Sequence, residues 1–356
     1  MGLLSKRTKG SLTDDEAKGE EMYRIYGFEL SYFTRKLEVA LTMSGRPLER
    51  RPKSILMKRS LEHHSGTHQV PVMVTPDGRY LSDTTPIIEE FGDLGGGRHL
   101  FPEGEDGVLV RVIEEWLDEW FPRTVIHYRW NFEESARWAS GRIAREVMPH
   151  VFRPMRPFAR RSVAQWGHRA ARALAVDSPA GHAGAERVTR RVLGALETQL
   201  KHTSFALGDR PTAVDAVLLG AMRAHLAADP VPRRVIEEYP EVFAWAQAPV
   251  HVPDSGELCT FRAPNHFART ILNEWPTECG QFLAKNRAAL MASTRVVPMC
   301  LEGTELTMLA RPYTEWSRQH LVRWFNAQDS DLRASIGPWL EDTGLSDALT
   351  IDLDAV

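Results

Sequence analysis

Tyr23-Arg-Ile-Tyr-Gly-Phe-Glu-Leu-Ser-Tyr-Phe-Thr-Arg-Lys-Leu-Glu-Val-Ala-Leu41 decides how the first half of this 356-residue chain reads. Tyr23 to Phe28 is rich in aromatic and β-branched residues and contains Gly27, as a short strand would. Ser31 can cap a following helix, in which Leu37, Ala40 and Leu41 recur at helical spacing with Phe33 on the same side. A strand that turns into a helix through a serine places unpaired backbone N–H groups and the positive end of the helix dipole beside a hydroxyl. Such a place stabilises an anion.

Working outward, Gly45-Arg-Pro47 breaks the helix and Leu48 to Pro52 reads as a second strand. Ser54 to Leu61 fits a short helix or an irregular loop. Val70 to Leu81 is two apolar runs around Pro76-Asp-Gly78, which is turn chemistry, so a hairpin is expected. Ser82 to Phe91 reads as a capped helix start, with Pro86 in the first turn and Ile87, Ile88 and Phe91 facing inward. The order strand, helix, strand, loop or helix, hairpin, helix is thioredoxin-like.

These residues resemble the three glutathione-site motifs of the glutathione transferase superfamily. Ser31-Tyr-Phe33 is similar to the Ser-Pro-Phe type of active site, with Tyr32 where proline is usual. Val70-Pro71 matches the pair that holds a cis-proline, and Asp83-Thr84 matches the Glu-Ser pair that binds the γ-glutamyl group. Gln69 stands where a lysine is often found. The resemblance implies that a hydroxyl stabilises the glutathione thiolate without acting as a covalent nucleophile. Ser31 is the first choice for it, and Tyr26 and Tyr32 are rivals. It further implies glutathione binding by Gln69, Val70, Pro71, Asp83 and Thr84. The plain alternatives are a helix cap at Ser31, a strand-edge proline at Pro71, and an ordinary N-cap at Asp83.

The middle of the chain fits the same family. Gly92 to Gly104 has linker composition. Val112, Ile113, Trp116, Leu117 and Trp120 have helical spacing and predict one long helix over Val108 to Trp130. Trp116, Trp120 and Tyr128 are candidates for the substrate pocket, although such rings are more often core. A helix over Arg187 to Leu200 precedes Thr212-Ala-Val-Asp215, an Asp version of the capping box, which resembles the superfamily's buried capping motif in its all-helical C-terminal domain. The arginine-rich stretch from Arg142 to Arg172 reads most simply as a solvated face; the alternative is a cationic surface that attracts an anionic substrate into a cleft. Beyond Val250 the resemblance ends. Helices over Phe267 to Met291, Tyr313 to Phe325 and Leu332 to Leu340 and a hairpin around Glu302-Gly-Thr304 are expected there.

The organisation expected is therefore a polar tail over 1–21, an α/β thioredoxin-like glutathione-binding domain over 22–92, and a linker over 93–105. An all-α glutathione transferase-like domain over 106–250 and a mixed α+β C-terminal extension over 251–356 follow. The extension is either a structural lobe or a cover over the substrate cleft.

Composition bounds the rest. Charged residues at 26%, hydrophobic ones at 43% and a formal charge of -3 describe a globular protein with no call for a nucleic-acid partner. Cys259, Cys279 and Cys300 are odd in number and lack CxxC spacing, so neither a disulfide framework nor a zinc site is expected, and a reducing, cytoplasmic setting fits. His63, His64 and His68 have no strict metal spacing, so no metal is expected. No apolar run approaches the roughly 18 residues of a membrane span. The implied activity is that of a glutathione transferase: conjugation, isomerisation or dehalogenation of a small, apolar electrophile, as in detoxification, with glutathione as co-substrate and a homodimer as the assembly. The alternative is a catalytically inactive binding or assembly module of the same fold.

Overall fold

The computed structural model describes residues 22–301 and 303–349; the polar tail expected over 1–21 lies outside them. β1 (Tyr23–Gly27) leads through the Ser31 N-cap into α1 (Tyr32–Met43), and β2 (Leu48–Pro52) lies parallel to β1. After α2 (Lys58–Ser65), β3 (Val72–Val74) and β4 (Tyr80–Ser82) form the hairpin around Pro76 to Gly78, with Gly78 at φ 87° as its turn requires. The sheet order is β2-β1-β3-β4, and α3 (Thr84–Phe91) completes the thioredoxin-like domain. Residues 93–105, expected as a linker, hold a small hairpin, β5 (Asp93–Gly95) with β6 (Arg98–His99).

The single helix expected over Val108 to Trp130 is two: α4 (Gly104–Glu119) and α5 (Pro122–Trp130). Pro122 has no N–H to continue the ladder and starts a helix well, so the chain turns there. α6 (Glu133–Val147), α7 (Arg156–Ala173) and α8 (Pro179–Leu200) follow. α9 (Ala213–Ala221) opens on the capping box. Asp215 accepts from the N–H groups of Ala206 and Thr212, both at 2.8 Å, and from the Thr212 hydroxyl at 3.1 Å. Two short helices, α10 (Pro230–Ile236) and α11 (Pro240–Gln247), close the helical domain.

The two domains meet at α1 and α9. A Cβ on Gly220 would lie 2.6 Å from the Lys36 N and 3.0 Å from the Tyr32 O, so only glycine lets the helices approach backbone to backbone. Lys36 is fully buried in this contact. Its ammonium donates to Glu114 at 2.5 Å, to Asp118, and to the Thr85 hydroxyl at 3.2 Å. Burial alone would depress the ammonium pKa, but Asp118 and Glu114 hold it above the ordinary lysine range.

The extension contains α12 (His266–Glu274), α13 (Gly280–Met291), the hairpin β7 (Val296–Leu301) with β8 (Thr304–Leu309), and α14 (Pro312–Asn326), α15 (Ser330–Asp342) and α16 (Leu345–Leu349). It shares one hydrophobic core with the rest, in which Trp275, Phe282 and Phe325 join Trp116 and Trp120. The Trp275 indole donates to the Val112 carbonyl at 3.2 Å. α14 lies on α4: Ser317 donates to Glu115 at 2.7 Å, and Thr314 donates to Glu119. Burial, with Glu119 beside it, pushes the Glu115 carboxyl well above its usual range, and burial also raises Asp118 and Glu119.

Removing the Asp215 carboxylate leaves two buried N–H groups unpaired, so Asp215→Ala should cost about 2 to 4 kcal/mol and lower the thermal midpoint by several degrees in calorimetry. The raised Glu115 carboxyl gives a pH prediction. The native state keeps a proton that the unfolded chain releases near pH ~4.3. Its contribution is thus complete below that pH and is lost as pH rises toward the folded value. Glu115→Gln should flatten this decline in denaturant titrations at several pH values; an unchanged slope would refute the assignment.

Candidate glutathione site

Strand register brings the separate motifs to one place. β1 ends at Gly27 opposite Pro52 on its parallel neighbour, Tyr26 faces Val72 at the start of antiparallel β3, and Val72 faces Ser82 at the end of β4. Ser31, Lys53, Pro71 and Asp83 therefore all leave or enter the sheet at the same edge.

At that edge Ser31 is partly exposed, with φ -107° and ψ 125°. Its Oγ accepts from the Thr34 N–H at 3.3 Å, and no described residue accepts its own O–H proton. The two tyrosines are placed differently. The Tyr32 hydroxyl is buried and donates to the Leu117 carbonyl at 2.8 Å, and burial, with Asp118 and Glu114 near, raises its pKa well above the ordinary range. Tyr26 packs with Leu61, Val72 and Val74 and turns its hydroxyl to Arg51.

The Val70–Pro71 peptide is cis. Gln69 is exposed, and no described hydrogen bond uses the Val70 N–H or C=O. Asp83 caps α3 with φ 78°, one of the few positive values at a non-glycine residue in the described chain, and its Oδ1 accepts from the Thr85 N–H at 3.3 Å. Such a backbone costs on the order of 1 to 3 kcal/mol and persists where the surroundings hold it. Its other oxygen, Oδ2, is buried without a well-formed hydrogen bond, although the Tyr313 hydroxyl from the extension faces the carboxylate. Burial raises this carboxyl. Thr84, the first helical residue, is buried.

Two contributors were not singled out from the sequence. Lys53, just past β2, is buried and donates to the carbonyls of His68 and Gln69, each at 2.9 Å, so a cation stands beside Gln69. An ammonium has three protons, which leaves one for an anion. Burial lowers its pKa. The signal was a lysine directly after a strand whose parallel neighbour ends at the same edge. Arg129 is buried on α5, forms a two-point pair with Asp229 at 2.7 and 2.8 Å, and donates to the Leu30 carbonyl at 2.5 Å. It ties the residue before Ser31 to the helical domain. No local pattern could have found it, since its partners lie about a hundred positions away.

α6 covers the same loop. The Glu29 N–H donates to Glu146 at 2.9 Å, and Arg142 pairs with the Glu29 carboxylate at 2.9 Å. Trp116, Trp120 and Tyr128, expected as pocket candidates, are instead core. Trp116 stacks with Phe121, Trp120 lies between Phe282 and the Arg123 guanidinium, and Tyr128 stacks with Phe132. The helical period that made them candidates turns them inward. Among the described residues, no group of three or more His, Cys, Asp and Glu is arranged to hold a metal, and no helix is long and apolar enough to cross a membrane.

Comparison with known proteins matches two segments of the chain. Residues 25–99 match the N-terminal domain of glutathione S-transferases and residues 169–248 match their C-terminal domain. Glutathione S-transferase U2 of Arabidopsis thaliana is 30% identical over 106 residues, which is 29% of this chain and 47% of that protein, so the match spans about half the relative's length. Among solved structures, a glutathione S-transferase from Rhodospirillum rubrum F11 is 20% identical, with TM-score 0.42 over 70% of this chain and 99% of its own. One from Methylobacillus flagellatus KT, described with glutathione bound, is 14% identical, with TM-score 0.37 over 70% and 98%. The chain therefore carries the N-terminal and C-terminal domains of glutathione S-transferases, in that order.

Proposed function

We propose that this protein binds glutathione at the sheet edge and activates its thiol for attack on a small, apolar electrophile, by conjugation, isomerisation or dehalogenation. The observation that carries the reading is the convergence of Ser31, Pro71 and Asp83 at one edge, with the Ser31 O–H free to donate. A free thiol has a pKa near ~8.5 and the thiolate is the nucleophile. A hydroxyl at a helix N-terminus favours the anion, so Ser31 needs no base. It holds the sulfur by hydrogen bonding while the thiolate attacks.

The rest of glutathione then has partners of matching chemistry. The Val70 N–H and C=O pair with its peptide, and the Asp83 carboxylate takes the γ-glutamyl ammonium while the start of α3 at Thr84 takes its carboxylate. Lys53 offers its remaining proton to the glycyl carboxylate beside Gln69, where the side chain itself carries no charge. A second reading, a binding module without turnover, draws support from Tyr313, whose hydroxyl already faces Asp83. Retention on immobilised glutathione followed by conjugation assays with several electrophiles separates the two, since binding without turnover favours the module. The assembly proposed is a symmetric dimer, the commonest closed form. Light scattering at micromolar concentration should report twice the chain mass, and a monomer alone would remove this part.

Ser31→Ala should lower turnover by roughly tenfold to a hundredfold, the worth of one charge-assisted hydrogen bond of about 1.5 to 3 kcal/mol, and leave glutathione affinity nearly unchanged. Tyr26→Phe and Tyr32→Phe should keep activity. If Ser31→Ala retains full activity and a tyrosine variant loses it, the donor is that tyrosine.

A further inference from the structure

α7 presents a face that the fold does not use. It packs on α5 and α6 through a narrow stripe of Ala159, Val163, Gly167 and Ala171, and a Cβ on Gly167 would fall 2.1 Å from the Trp130 ring. The rest of the helix turns largely outward, with Trp166 edge-on to Trp130, Arg160 donating to the Arg137 carbonyl at 3.2 Å, and β8 touching the helix. Met155, Phe158 and Trp166 are each more than half exposed, as is Phe152 just before the helix. At about 100° per residue, Met155, Phe158 and Trp166 fall within one arc of roughly 80°. Arg169 lies in that arc, and Arg161 and Arg172 flank it.

The charge of this segment is one-sided. Between Glu146 and Asp177 the sequence has six arginines and no acidic residue, in a chain whose formal charge is -3. Among the described residues only Arg172 of the six has an acidic partner, Asp177 at 3.4 Å. The exposed Ile55 and Leu56 extend the apolar part, since the Ile55 N–H donates to the Val147 carbonyl at 2.9 Å, at the end of α6 that leads into this segment.

We infer that this face binds the surface of an anionic lipid bilayer. Exposed aromatic and apolar side chains flanked by arginines suit the boundary between headgroups and acyl chains: the rings enter the boundary and the guanidinium groups reach the phosphates. A second copy of the chain fits poorly, because a two-fold contact would set these arginines against their own copies. The exposed rings project from the convex side of the helix, beside rather than within the recess that Pro157, Arg160, Arg161 and Ala164 form with α6, which suits a bilayer better than a rigid protein partner.

The test is co-sedimentation with vesicles of phosphatidylcholine alone or mixed with about one third phosphatidylglycerol, at low and high salt. The chain should partition to the anionic vesicles, remain free of the neutral ones, and be largely released by high salt. Arg161→Ala with Arg169→Ala should weaken partitioning by about tenfold or more. Phe158→Ser with Trp166→Ser should weaken it by a similar factor at fixed salt. Both arginines are exposed, so this pair remains a test if the apolar pair lowers the thermal midpoint. Failure of the wild-type chain to sediment with anionic vesicles overturns the inference. So does partitioning that neither variant changes, or binding to polyglutamate or duplex DNA at least tenfold tighter than to the anionic vesicles, which would indicate an acidic protein or a nucleic acid instead. No outcome depends on glutathione.

Discussion

One ammonium holds the architecture together. Lys36 Nζ is enclosed by Glu114, Asp118 and Thr85, so α1 of the first domain, α3 at its edge and α4 of the helical domain share a single charge. Without its carboxylate partners this buried cation would be left uncompensated, at a cost of roughly 3 to 5 kcal/mol. The contact forms only because Gly220 lets α9 touch the α1 backbone. Position of α1 relative to the helical domain is therefore set by sterics on one side and by charge on the other, and α1 carries Ser31 at its start.

The site inherits that rigidity. Ser31 is held from inside by α1 and from outside by Arg129, whose guanidinium is fixed by Asp229 before it grips the Leu30 carbonyl. Arg142 and Glu146 add a second hold on Glu29. A hydroxyl placed this way costs little further ordering when an anion arrives, which is the physical meaning of a preorganised donor. Tyr32 cannot share the task without giving up its bond to Leu117.

The extension is joined to the rest by the same acidic face of α4. Glu115 and Glu119, turned away from Lys36, receive Ser317, Thr314 and the Arg311 guanidinium from α14 and the segment before it. Four carboxyl groups in two turns would repel in isolation; here Lys36 answers Glu114 and Asp118, and the extension answers Glu115 and Glu119. The lobe therefore contributes to the core and also brings Tyr313 to Asp83, so it bears on the candidate site as well as on packing.

Local order was legible in the sequence because it depends on neighbours within a few residues. The Ser31 cap, the turn at Pro76 to Gly78 and the Thr212–Asp215 box each satisfy backbone groups close in the chain, and β1, β2 and α1 follow from local propensity. Pro122 marks the break between α4 and α5 just as plainly, against a helical period that the tryptophans on either side carry through it. Periodicity states that a face is buried and is silent on what buries it, so Trp116, Trp120 and Tyr128 read as pocket candidates and proved to be core. The partners of Lys36 lie 78 and 82 residues away, and those of Arg129 about a hundred. Only the folded chain selects such pairs, because a buried charge takes whichever opposite charge the packing of the helices brings within reach.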